Sequence, residues 1–129
     1  MRVMLMFKGD PEPGAMPSEE LLAATARYND ELEKAGVLLD LSGLHPSAEG
    51  RRVKFSGGNL SVLHGPFARS KELIASFWIL EVKSMDEAVE WSKRFPFDAL
   101  SRIYPGEYGA EGEIEIRQLF ELERSDASV

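Results

Sequence analysis

Cysteine is absent from the 129 residues. That excludes disulfides, thiol nucleophiles, zinc ribbons and cysteine-held iron–sulfur clusters. It suits a reducing compartment, and the cytoplasm is the expected location. Long apolar runs are missing too. The longest, from Ile74 to Leu80, is the size of a strand and far below a membrane span. The run from Val3 to Phe7 is too short for the apolar region of a signal peptide. A soluble, untargeted chain with no membrane partner is expected. Positive charge is in deficit, with 15 Lys and Arg against 22 Asp and Glu, a formal net charge of −7. Such a surface repels phosphate backbones, so nucleic acid is not an expected partner. Neither a Gly-x-Gly-x-x-Gly fingerprint nor a Walker loop occurs, and no nucleophile elbow. No cofactor is expected. Internal repeats and low-complexity tracts are also lacking.

What is present is the make-up of an ordinary globular domain, 43% hydrophobic and 29% charged, of a length that fits one domain. Residues 1–123 read as that domain and 124–129 as a frayed tail. Residues 2–8 read as a strand apolar on both faces, with Val3, Leu5 and Phe7 on one and Met4 and Met6 on the other. A proline- and glycine-rich loop over 9–17 follows. Ser18 is an N-cap candidate for a helix to about Ala35, with Leu21, Ala24, Tyr28, Leu32 and Ala35 on one face and Gly36 as the stop. Residues 37–44 form a second strand. Residues 51–56 and 60–64 pair as a hairpin turned at Gly57-Gly58-Asn59. Residues 73–82, LIASFWILEV, form a long strand apolar on both faces. Ser84-Met85-Asp86-Glu87 has a capping-box pattern and opens a helix that buries Ala88, Trp91 and Phe95. An irregular connection over 97–112 leads to a last strand from Glu113 to Leu119.

The order is β-α-β, a hairpin insertion, then β-α-β. This is an α+β chain with the split βαβ pattern of a ferredoxin-like domain, an antiparallel sheet with both helices on one face. Two helices cover one sheet face, yet Met4, Met6, Phe77 and Ile79 make the other apolar as well. An antiparallel sheet leaves a face to water only where that face is polar. The economical cover is a second copy packed about a two-fold axis. A homodimeric α+β barrel is therefore expected.

Three stretches carry a resemblance. AGVLLDLSGLHPSAEGRRVKFSGG, HGPFARSKELIASFWILEVKSMDEAVEWSKRFP and EGEIEIRQLFE occur in that order and resemble the YCII-related family, within it the branch named for its Asp-Gly-Pro-Phe (DGPF) motif. The resemblance implies a dimeric α+β barrel. It implies no single activity. Related branches include small decomposition and dehalogenation enzymes with a His/Asp pair in a cleft, and some members are encoded beside alternative sigma factors. This chain departs twice from the branch pattern. His64 stands at the Asp of the motif, and Arg69 stands where a glutamate is usual. Both changes move the loop from acidic toward basic, and a carboxylate base or metal ligand is lost.

The residues themselves offer a candidate site. Between Arg51 and Lys71 lie five bases and no acid, leaving ten bases against all 22 acids in the rest. That is a local patch for a small anion, or two strands with arginines facing water. Gly65-Pro66 reads as a turn. His64 shares the parity of Leu60 and Val62, and His45 that of Val37, Leu39 and Leu41. Two histidines at the ends of inward rows are the candidate catalytic residues, as general base or proton shuttle. Arg69, Lys71, Glu72 and Arg117 are the candidate ligand-binding residues. Glu72 can orient a histidine and Lys71 can hold an anion. Arg117, opposite in face to Ile114 and Ile116, is an anion clamp or a salt-bridge partner. A His₂-carboxylate metal set with Asp40 or Glu72 has no supporting local spacing, and no metal is expected.

Three functions remain open at this stage. One is a small-molecule binding protein for an apolar or anionic metabolite. Another is a cofactor-free lyase, isomerase or dehalogenase with His64 or His45 as base and Arg69 or Lys71 steadying an oxyanion. The third is a regulatory interaction module, by family analogy alone.

Overall fold

The computed structural model describes residues 1–11, 14, 18–68, 72–99 and 112–121. Arg69, Lys71, most of the connection over 97–112 and the tail lie outside the described residues.

Strict alternation makes Arg2–Lys8 a strand, β1, that buries Val3, Leu5 and Phe7 on one side. It occupies an inner position of a four-stranded antiparallel sheet in the order β2-β5-β1-β6, where β2 is Leu38–Gly43, β5 is Ile74–Glu81 and β6 is Ile114–Gln118. Two helices connect these strands. Helix α1, Glu19–Lys34, starts where Ser18 Oγ accepts the N–H of Leu21 at 3.1 Å, which satisfies one of the first turn's open donors. It ends at Gly36, whose φ of +74° is a backbone state that glycine reaches without strain. Helix α2, Met85–Lys93, has the same kind of start, with Ser84 Oγ accepting from Glu87 N–H at 3.1 Å. The Glu87 carboxylate turns back to accept from Lys83 N–H at 2.8 Å and from Trp91 Nε1 at 3.2 Å. The Lys83 bond, ahead of the one from Trp91, holds the Glu87 carboxyl below its ordinary range. The topology is compatible with a ferredoxin-like fold.

Both helices bury against one sheet face. Tyr28 and Leu32 of α1 and Ala88 of α2 join Val3, Leu5, Phe7, Trp78 and Leu80 in a single core cluster. Phe95, just past α2, stands at the centre of its rings, 5.0 Å from Phe7, 5.5 Å from Tyr28 and 5.5 Å from Trp78. The Tyr28 and Trp78 contacts are edge-to-face, and such pairs add to the stabilisation from buried area. The polar tips are satisfied locally: Tyr28 Oη donates to the Trp91 carbonyl at 2.9 Å and Trp78 Nε1 to Asn29 Oδ1 at 2.8 Å. Burial pushes the Tyr28 phenol well above its ordinary range, with the Glu31 carboxylate adding to the effect.

The inserted hairpin is a separate two-stranded sheet of β3, Arg51–Ser56, and β4, Asn59–His64. Its turn is tighter than the three-residue reading. Asn59 belongs to β4, while Gly57 and Gly58 alone make the turn, both with positive φ. Two such residues match the right-handed twist of the strands they join.

Candidate functional site

The sheet face away from the helices is where side chains of function can gather. Register places Met4 beside Ile79 and Met6 beside Phe77 across β1 and β5. All four are half-buried. Asp40 and Ser42 of β2 adjoin this pair of rows on one side. On the other, Arg117 pairs with Met4 and Glu115 with Met6.

Lys8 closes the row begun by Met4 and Met6. Its side chain is only 6% exposed, and its Nζ lies 2.8 Å from Glu115 and 3.2 Å from Glu72. The hydrogen bond that Lys8 donates to Glu115 outweighs desolvation and, with the one it donates to Glu72, raises the Lys8 pKa above its ordinary value. Glu115 in turn accepts from Arg117 at 3.1 Å. Lys8 first and Arg117 second hold the Glu115 carboxyl below its ordinary range. The four side chains thus form one chain of charge, Glu72–Lys8–Glu115–Arg117, around the end and the β6 side of an apolar floor.

Two of the sequence-nominated ligand residues, Glu72 and Arg117, are therefore brought together, and Lys8 and Glu115 are what join them. Neither connector was nominated. The available signal was a lysine continuing the parity of Met4 and Met6, at a position an apolar row would otherwise fill. Glu72 engages Lys8, and the Arg117 guanidinium, 71% exposed, adjoins the floor.

The histidines sit elsewhere. His64 ends β4 opposite Arg51 and is exposed. His45 is 83% exposed, with Nδ1 3.3 Å from the Glu49 carboxylate. The inward rows assigned to them do not form within one chain. Leu60 and Val62 are exposed, because the hairpin is a sheet of its own and does not stack on the core. In β2 the register shifts between Leu38 and Asp40, so Leu38 pairs with Leu80, Asp40 with Ile79, and the row of Val37, Leu39 and Leu41 is broken. The strand also stops at Gly43, before His45. Asp40 accepts from the N–H of Leu41 at 2.8 Å. Among the described residues no cluster of three or more metal-ligating side chains occurs, and no helix is long and apolar enough to cross a membrane.

The Gly-Pro turn is anchored. Asp10 accepts from Ser47 N–H at 2.7 Å and from Ser47 Oγ at 2.6 Å, and Ser47 Oγ accepts from Phe67 N–H at 3.2 Å. The Gly65-Pro66 peptide bond is cis. The Arg52 guanidinium lies over the Phe67 ring at 3.9 Å. Phe67 fastens the turn to the hairpin base by this contact, a cation–π interaction.

Comparison with known proteins adds two findings. The family model described as the YCII-related domain matches residues 1–105. An uncharacterized protein of Rhizobium meliloti (strain 1021) is 32% identical over 60 residues, 46% of this chain and 48% of that protein. The match spans about half of that relative's length.

Proposed function

The chain belongs to the YCII-related domain family, and from that premise we propose a homodimeric metabolite-binding protein of the family's DGPF branch. Two copies pack their helix-free sheet faces into an α+β barrel, and a small anion is held in the cleft between them.

The observation that carries this reading is the make-up of that face. Met4, Met6, Phe77 and Ile79 form an apolar floor that ends at Lys8 and is flanked on the β6 side by Glu115 and Arg117. An apolar antiparallel face calls for cover, and a second copy supplies it with a self-complementary surface. Covering the floor also excludes water from its charged end, where interactions strengthen as the local dielectric falls. Lys8 is engaged by two carboxylates. The exposed Arg117 guanidinium is the group best placed to meet an incoming carboxylate or phosphate in bidentate fashion. The run of bases between Arg51 and Lys71, with no acid among them, likewise favours an anionic ligand. Both histidines face solvent in the single chain, so binding is better supported than proton transfer.

The test is thermal-shift screening of wild type and Arg117→Ala against small carboxylates, aromatic acids and inorganic phosphate, with sedimentation run in parallel. Saturable stabilisation that Arg117→Ala loses supports the site. A stable dimer that no anion stabilises removes the ligand and leaves the assembly. A monomer removes both.

A further inference from the structure

Strand register lines up two rows across the helix-free face. The first runs Arg117, Met4, Ile79, Asp40 and the second Glu115, Met6, Phe77, Ser42, each from β6 through β1 and β5 to β2. Both rows are apolar in the middle and polar at the ends. The first has a cation on one edge strand and an anion on the other. Three strand spacings, about 14 Å, separate the two, so they do not meet within one chain. Each has room for a further partner. Arg117 is 71% exposed and gives Glu115 one bond from its five N–H donors. Asp40 is exposed, and its bond among the described residues is to the N–H of its own neighbour, Leu41.

The first row is complementary to itself turned round. A two-fold axis parallel to the strands lays β2 of one copy over β6 of the other, and β5 over β1. Arg117 then faces the partner's Asp40, and Met4 the partner's Ile79. The tilt of about 30° between packed sheets moves an edge residue by about 4 Å, within the reach of an arginine. The acidity of the chain does not oppose this packing. Strand positions on this face carry Arg2, Lys8 and Arg117 against Asp40, Glu81 and Glu115, a balance of charge. Across the sheet, α1 and α2 carry eight acids and three bases. Face-to-face packing turns both helical layers outward. The two sheets between them, about 10 Å apart, exceed the screening length of about 8 Å. An axis across the strands would instead lay β6 on β6 and offer Arg117 the partner's Glu115. That carboxylate is 32% exposed and already holds Lys8 and Arg117. Asp40 would then lie over β2, which has no cation. The parallel axis is therefore favoured.

We propose that two copies pack about an axis parallel to the strands, with Arg117 of each paired to Asp40 of the other. This rests on the homodimer reading above and adds a residue of the second copy to the anion site. The partner's Asp40 holds Arg117 until a ligand anion displaces it.

The test uses two charge reversals, Asp40→Lys and Arg117→Glu. Each alone sets like charges together twice in its own dimer. The dissociation constant by sedimentation equilibrium should rise roughly tenfold or more. In an equal mixture, both pairs of the mixed dimer have opposite charges, and dimer should return at wild-type strength. Both positions are exposed, so far-UV circular dichroism is expected to be unchanged. An independent readout uses the lack of native cysteine. A bis-maleimide spanning about 10 Å should link Asp40→Cys chains to Arg117→Cys chains in a mixture and link neither variant to itself. If a charge reversal misfolds, this cross-link decides alone. Reversals that leave the dimer at wild-type affinity, a mixture no tighter than its components, or cross-links within one variant overturn the pairing and spare the dimer. A monomeric wild type at tens of micromolar overturns both.

Discussion

Lys8 Nζ and Glu115 Oε1 lie 2.8 Å apart, on adjacent strands, with the lysine side chain almost wholly covered. Each group favours the charged form of the other. Replacing Lys8 by Met keeps the covered stem and deletes the charge. Glu115 should then titrate higher, toward its ordinary 4.5, with Arg117 retaining part of the depression. NMR titration of the carboxyl carbon measures this directly. The sign for stability follows. In wild type the Glu115 contribution is full above 4.5 and is lost as pH falls through its depressed value. The Lys8 contribution is full below 10.5 and is lost as pH rises through its raised value. Lys8→Met should therefore show a shallower loss of stability on the acid side. An unchanged Glu115 titration would show that Lys8 is not the cause.

Gly65 is required by the backbone of Ser47. A Cβ placed on it would fall on the Ser47 carbonyl oxygen and within 2.7 Å of the Ser47 carbonyl carbon. Because the obstacle is main chain, it cannot swing aside. Gly65→Ala should destabilise by about 1–3 kcal/mol, the range of overpacked sites. It should also loosen the Asp10–Ser47 bonds, visible as faster exchange of the Ser47 amide. Urea denaturation measures the first effect, and a change below about 0.5 kcal/mol would contradict the packing argument.

Tyr28→Phe tests the hydroxyl that ties α1 to the end of α2. The ring stays in its aromatic cluster, while the Trp91 carbonyl loses the hydroxyl at 2.9 Å and keeps only the Arg94 N–H at 3.1 Å. The loss should be about 1 kcal/mol. The expected signature is an unchanged dependence on denaturant with a lower midpoint.

Gly57 and Gly58 have φ of +58° and +81°. Gly57→Asn, which tolerates that region, should leave the hairpin intact. Gly58→Val should disorder it, because a β-branched residue strongly resists positive φ. Cross-strand NMR contacts between Phe55 and Leu60 report the difference.

The periodic elements were legible because their periods are local. Alternation over Val3–Phe7 and the 3.6-residue spacing of Ala24, Tyr28 and Leu32 each need only a short window. Ser18, Ser84 and the paired glycines mark their boundaries by short-range chemistry. The candidate site was legible in part. Arg117 and Glu72 were nominated, but the pair that joins them, Lys8 to Glu72 and Glu115 to Arg117, comes from opposite ends of the chain and meets only once β1 lies beside β6. The histidine rows failed for a related reason. One inserted residue at Leu39 changes the parity of β2, and whether a hairpin stacks on the core depends on surfaces far away in sequence. Gly65 was identified as a turn residue, but the oxygen of Ser47 that excludes any side chain there was not visible.

Strand β1 lies between strands that come much later in the chain, β5 beginning at Ile74 and β6 at Ile114. On a ribosome, the apolar run Val3–Phe7 emerges long before either partner exists. At about 5–20 residues per second, the delay between Lys8 and its β5 neighbour Ile74 is roughly 3–13 s. A methionine-rich strand with an open edge is sticky during that interval. The same side chains that form the core and the proposed cleft thus stay uncovered until β5 has been made.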